Sequence, residues 1–221
     1  MIVTLQGVLN AEELGRVREA LGNAEWRPGS ETAGWHAKTV KANEQAHGGA
    51  VDAVRKIVAA AVSRHQRFRA AAQPKRLSSI MFSRYLPGME YGVHIDDPLM
   101  PAPQGQIRTD LAATIFLSEA NTYTGGGLAI PGGPEGGVKQ KPGDAVLYPA
   151  TSLHRVLPVT EGERLAAVFW VQSLVRDAGA RETLFDLDRA RRLIFQRDGK
   201  SPAFDLVAKA HSNLLRKWAE V

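Results

Sequence analysis

Apolar positions in this chain recur at helical spacing near both ends and in short alternating bursts through the middle, which predicts helices flanking a sheet. Asn10 can cap a helix that begins Ala11-Glu12-Glu13-Leu14, with its acidic side chains in the first turn, where the helix dipole favours them. Val51, Val54, Ile57, Val58, Ala61 and Val62 predict a second helix over about residues 50–70. Both are expected to lie on the outside of the sheet. From residue 76 to 175 the chain turns to short β-type runs punctuated by Pro and Gly, at 77–86, 110–117, 128–130, 145–148, 153–156 and 165–174. Many short strands with such punctuation indicate a β-sandwich or jelly roll. Residues 180–197 read as one amphipathic helix. Ser201-Pro202 offers an N-cap followed by proline at the first helical position, opening another helix that runs to residue 218. Leu206, Val207, Ala210, Leu214 and Trp218 form an apolar stripe on it, suited either to packing on the rest of the chain or to a homo-oligomer surface.

Composition narrows the class. With 221 residues, 44% of them hydrophobic, the chain can bury a substantial core. No run approaches membrane-spanning length, and the start lacks the basic and apolar stretches of a secretory signal. A cytoplasmic location is the default expectation, and the absence of cysteine fits a reducing compartment. The formal charge of +5 points towards nucleic acid only if it lines the site. It does not: residues 75–174 hold eight basic and nine acidic side chains, and the excess lies on the helical flanks.

The chemistry resides in His94-Ile95-Asp96, followed by His154 and Arg164. Alternate side chains of an extended strand share a face, so the one-residue gap sets the His94 imidazole beside the Asp96 carboxylate, whereas Asp97 should turn to the opposite face. Two imidazoles and one carboxylate on one face of an octahedral metal leave three positions open, the ligand set of non-haem Fe(II) oxygenases. Arg164 opens the apolar run Arg-Leu-Ala-Ala-Val-Phe-Trp-Val-Gln172, where a guanidinium needs an anion. A dicarboxylate that chelates the metal through a 2-oxo acid end and reaches Arg164 with its far carboxylate would supply one. His36, His47, His65 and His211 have no partners at useful spacing.

The chain resembles the Fe(II)/2-oxoglutarate-dependent dioxygenases, and more closely the bacterial PKHD-type, prolyl-4-hydroxylase-like hydroxylases. The stretches that carry the resemblance are Arg84-Tyr85 through Asp97, Arg108-Thr-Asp-Leu-Ala-Ala-Thr-Ile-Phe-Leu-Ser118, Gly125-Gly126, Pro142-Gly-Asp-Ala-Val-Leu-Tyr-Pro-Ala-Thr-Ser-Leu-His-Arg-Val156 and Phe169-Trp-Val-Gln-Ser-Leu-Val-Arg176. It implies an α+β fold: a double-stranded β-helix (jelly-roll) core with N-terminal helices on the sheet and a C-terminal helical extension. The expected division is a flank at 1–74, an oxygenase core at 75–176 and the extension at 177–221. Carried over residue by residue, the family pattern makes His94, Asp96 and His154 the Fe(II) ligands, Arg164 the partner of the 2-oxoglutarate carboxylate, and Tyr85 a neighbour of that co-substrate. O2 is the co-reactant, with succinate and CO2 as products. L-ascorbate is implied as a reductant, and peptidyl proline or a molecule of iron uptake as the substrate. This chain departs from its relatives at Gly127, where they tend to read Gly-Gly-Glu-Leu, and in the glycine-rich segment 131–137. Its seven glycines between 125 and 137 suggest a mobile entrance loop.

Two other readings compete. A nucleic-acid demethylase of the same superfamily would carry paired arginines after the last histidine and a basic approach to the site, and neither is present. A non-catalytic cupin-like metal-binding module would usually pair two histidines where this chain has His94 and Asp96.

Overall fold

The structure is a computed structural model that describes residues 1–103 and 105–221. Its centre is an eight-stranded sheet in the order Val3–Leu5, Ala145–Pro149, Leu111–Phe116, Arg164–Ser173, Met81–Tyr85, Glu44–His47 and Glu25–Pro28, with Pro74–Leu77 pairing beyond Met81–Tyr85 on the long Arg164–Ser173 strand. A four-stranded sheet of Leu128–Ala129, His154–Val156, Glu90–His94 and Lys41–Ala42 makes the second layer. Every pairing in the two sheets is antiparallel. This is the jelly-roll arrangement expected of so many short strands.

The large sheet is buried on both faces, and the two-residue period sorts its side chains. Along Arg164–Ser173, Leu165, Ala167, Phe169 and Val171 join an outer core beneath the helices, whereas Val168 and Trp170 face the second sheet. Leu111, Ala113 and Ile115 repeat the outer pattern, and Ala112 and Phe116 the inner one. Burial on both sides explains why these strands read as continuous apolar runs rather than as alternating ones.

Helices α1 (Ala11–Gly22), α2 (Gly49–Arg64) and α3 (Gln66–Ala72) cover the outer face. Asn10 caps α1 through a reciprocal capping box with Glu13. The predicted helix over 50–70 is instead two helices. The chain breaks at His65, whose extended backbone ends α2 and whose Nδ1 accepts the Phe68 amide to cap α3. Periodicity hid the break because Phe68, Ala71 and Ala72 continue the buried face. The run 77–86 is likewise two strands. Between them Ser78 leaves the ladder to exchange bonds with Trp170: its amide donates to the Trp170 carbonyl, and its Oγ accepts the Trp170 amide.

The segment before residue 75 also supplies strands, at Val3–Leu5, Glu25–Pro28, Lys41–Ala42 and Glu44–His47. Asn43 marks the point where this stretch passes from the second sheet to the first. Helices α4 (Ala178–Asp198) and α5 (Pro202–Trp218) form a C-terminal hairpin, with α5 opened by Ser201 and Pro202 as expected. The α5 stripe divides. Leu214 and Trp218 pack with Val175 and Leu184 of the same chain, while Leu206 is left exposed.

Candidate active site

His94 and His154 end neighbouring antiparallel strands and are register partners, so their imidazoles emerge side by side between the two sheets. Their ring centroids lie 4.3 Å apart. Asp96 stands just past the strand end and turns its carboxylate into the same space, with Oδ1 4.0 Å from Nε2 of His94 and 3.7 Å from Nε2 of His154. One ligand atom from each of the three falls within 4.8 Å of the others. The Nδ1 atoms are occupied elsewhere, by the Gly92 carbonyl at 2.8 Å and the Ser152 carbonyl at 2.9 Å. A carbonyl can only accept, so each ring carries its proton on Nδ1 and presents an Nε2 lone pair inward.

Burial first, and the neighbouring His154 second, push the His94 pKa down to about 4, leaving the ring neutral at pH 7. Tyr91 stacks on it at 3.5 Å and closes its outer face. Burial moves Asp96 the other way, raising its pKa against the pull of His154. A carboxylate taken out of water this far is short of a cation. Its Oδ2 has no hydrogen-bond partner. The Trp170 indole N–H is directed at this carboxylate without completing a well-aligned bond, and Nε1 is also unpaired.

A second unmatched charge lies deeper. Arg164 is 2% exposed, and no carboxylate of the described residues pairs with it. Aromatic rings enclose it: its guanidinium carbon is 4.9 Å from the Tyr85 ring centre and 5.8 Å from that of Phe116. The Tyr123 hydroxyl lies alongside. Burial raises the pKa of both Tyr85 and Tyr123 despite the nearby cation, so each phenol stays a hydrogen-bond donor. Antiparallel register sets Tyr85 directly opposite Arg164, placing both at one end of the same cavity. Gly126, at φ +65°, permits this: a Cβ there would come within 2.9 Å of the Arg164 side chain.

All five residues singled out from the sequence, His94, Asp96, His154, Arg164 and Tyr85, line this one cleft. Asp97 requires correction. It was expected on the opposite face but lines the same cleft, because strand pairing stops at His94 and the alternation stops with it. Sequence reasoning also missed Lys41, Asn43, Tyr91, Tyr148 and Trp170, all on the cleft wall. Lys41 and Asn43 carried a faint signal, as polar residues two apart in a short β-type segment.

The donor set fits ferrous iron: two imidazole nitrogens and one carboxylate with a free oxygen, with a buried guanidinium in the same cleft. Comparisons with known proteins agree. Residues 80–172 match the 2OG-Fe(II) oxygenase superfamily, and residues 178–220 match the C-terminal domain of PKHD-type hydroxylases. Over its whole length the chain is 47% identical to a PKHD-type hydroxylase of Synechococcus elongatus and 48% identical to one of Maricaulis maris, and both relatives are also covered completely. Among solved structures it resembles a 2OG-Fe(II) oxygenase family oxidoreductase of Burkholderia pseudomallei, at TM-score 0.55 and 15% identity over 77% of this chain and 84% of that one. It also resembles a Trichoplax adhaerens prolyl hydroxylase solved with a hypoxia-inducible-factor peptide, at 0.53 and 16% over 78% and 82%. The fold and donor set are those of an Fe(II)- and 2-oxoglutarate-dependent dioxygenase. Within that class the chain belongs to the PKHD-type hydroxylase family. Its reaction uses O2 and 2-oxoglutarate to hydroxylate a substrate. No helix among the described residues is long and apolar enough to cross a membrane.

Proposed function

We propose that His94 and His154, through Nε2, and Asp96, through one carboxylate oxygen, hold Fe(II), and that Arg164 and Tyr85 bind the distal carboxylate of 2-oxoglutarate. One observation carries this: the cleft buries a carboxylate lacking a cation and a guanidinium lacking an anion, and a metal–dicarboxylate pair supplies both. The iron, when bound, couples the oxidation of 2-oxoglutarate to succinate and CO2 with hydroxylation of a substrate C–H bond. The protein fixes geometry around it. The Gly92 and Ser152 carbonyls lock both tautomers, Tyr91 shields His94, and the Trp170 N–H faces the carboxylate oxygen left free. Arg164, 2% exposed, offers two-pronged recognition in a buried pocket, which favours a dicarboxylate of the right length over monocarboxylates.

L-ascorbate is the proposed reductant that keeps the iron ferrous, and a cytoplasmic location fits that need. Leaving ascorbate out is expected to shorten the linear phase of succinate formation. The central test is anaerobic: Fe(II) followed by 2-oxoglutarate should produce a weak visible charge-transfer band, and oxygen should then yield succinate. Asp96→Ala should abolish both. Undiminished succinate formation by that variant would overturn the ligand assignment.

A further inference from the structure

Lys41, Asn43 and Gln45 are two residues apart on an extended segment, and all three face the cleft, whereas Ala46 points to the outer core. This segment lies outside residues 80–172, the stretch that matches the oxygenase superfamily. Gln45 is satisfied, its carbonyl accepting the Thr32 hydroxyl at 2.8 Å. The other two are not. Asn43 is 5% exposed, and neither its Oδ1 nor its Nδ2 has a hydrogen-bond partner; the nearby Tyr85 hydroxyl falls short of bonding geometry. The fold makes room for it, since a Cβ on Gly29 would sit 1.9 Å from its Oδ1. Lys41 is half-buried over the Tyr91 ring, 5.2 Å from its centre, with one long bond of 3.4 Å to Thr32 Oγ1 and no ion pair among the described residues.

We infer that Lys41 and Asn43 form the recognition wall for the substrate to be hydroxylated, and that this substrate carries a carboxylate that pairs with Lys41 while Asn43 hydrogen-bonds the same molecule. The inference rests on the Fe(II)/2-oxoglutarate reading above and adds a substrate class to it. Position supports it. Lys41 and His94 both pack against the Tyr91 ring, at 5.2 Å and 3.5 Å from its centre, so an anion on the ammonium is held close to a metal ligand. Register supports it too. Lys41 pairs with Tyr91 in the second sheet and Arg164 with Tyr85 in the first, so the two cations enter the cleft from different sheets and can take separate anions, Arg164 that of 2-oxoglutarate. Burial lowers the Lys41 pKa to about 8 against the pull of the Asp96 carboxylate, and the ammonium stays largely charged at pH 7. Asp97 lines the same cleft, and its negative charge disfavours a polyanion there.

The experiment measures binding rather than turnover. The full chain is loaded with Mn(II) and 2-oxoglutarate, and a matched set of N-acetyl amino acids and their primary amides is titrated in by calorimetry. At least one acid should bind, with its amide at least tenfold weaker. Lys41→Met should bring that acid down to the affinity of the amide, Lys41→Arg should restore most of the difference, and Asn43→Ala should weaken acid and amide alike. Thermal melts of each variant confirm that it folds. If no acid binds, if acid and amide bind equally, or if Lys41→Met weakens 2-oxoglutarate rather than the acid, the inference is overturned. Failure of Mn(II) or 2-oxoglutarate to bind the unaltered chain would instead overturn the reading on which it rests.

Discussion

Phe169 and Trp170 are neighbours on one strand and face opposite ways, and the two faces differ in kind. On the Phe169 side, side chains of the sheet and of α1 to α3 close into a core without an unpaired charge. On the Trp170 side the same strands leave Trp170 Nε1, Asp96 Oδ2, Arg164 Nε and both amide atoms of Asn43 without partners. Folding rarely tolerates buried orphans in one place unless something else satisfies them. The outer face stabilises the sheet, and the inner face spends part of that stability on holding polar groups ready for ligands.

The largest contrast should come from breaking each face at its centre. Phe169→Ala is expected to cost about 3–5 kcal/mol of stability through lost burial and the cavity left behind, read from urea unfolding. Asp96→Ala should leave the unfolding midpoint unchanged or raised, because a buried unpaired carboxylate is removed, while succinate formation falls to background. Equal destabilisation by the two variants would erase the distinction between the faces.

Arg164 sharpens the same comparison. Arg164→Met should weaken 2-oxoglutarate by about 2–5 kcal/mol, the usual cost of deleting one side of a buried charge pair, with metal affinity little altered. Arg164→Lys keeps the charge but loses the fork, and should fall between. Titrations of 2-oxoglutarate into the Mn(II)-loaded variants test both. An unchanged affinity in Arg164→Met would leave this cation without its anion.

A smaller effect follows from His94 in the metal-free protein. Its pKa is near 4 when folded, against an ordinary value near 6.5, so the unfolded chain binds the extra proton more readily. Stability therefore carries no such penalty above about pH 6.5, falls as pH drops through the window down to about 4, and levels off below, for a loss of at most about 3 kcal/mol. His94→Gln should flatten that slope in urea unfolding measured between pH 7 and pH 4. A slope unchanged by the substitution would assign the loss to other groups.

The proposed ligand residues were legible in the sequence because polar groups are conspicuous in apolar surroundings: His94, Asp96 and His154 by spacing, Arg164 by its place at the head of a buried strand. What the sequence concealed depends on long-range closure. Lys41 and Asn43 look like an ordinary surface segment until the crossing between sheets folds them over the cleft. Glycine is a second case. In the sequence the run from 125 to 137 reads only as loop, whereas in the fold a Cβ on Gly127 would lie 1.9 Å from the Gly136 carbonyl oxygen, so the backbones cross where no side chain fits. Gly127 and Gly137 are thus one structural feature, because a Cβ on Gly137 would in turn come within 2.6 Å of the Gly127 backbone.

Trp170→Phe is the finest cut between the two faces. It keeps an aromatic ring in the inner core and removes one N–H, so the sheet and the opposed Phe169 should be undisturbed. The missing donor matters only if the indole orients the Asp96 carboxylate. Groups that orient metal ligands are typically worth 10–100-fold in metal affinity, and the imperfect alignment here places the expected loss near the lower bound, about tenfold or about 1.4 kcal/mol. The measurement is competitive titration of Fe(II) or Mn(II) under anaerobic conditions, beside a thermal melt of the metal-free protein. Weakened metal binding with an unchanged melt would make Trp170 a positioning residue on the functional face. Unaltered metal binding would return it to plain packing, and the ligand triad would stand without its help.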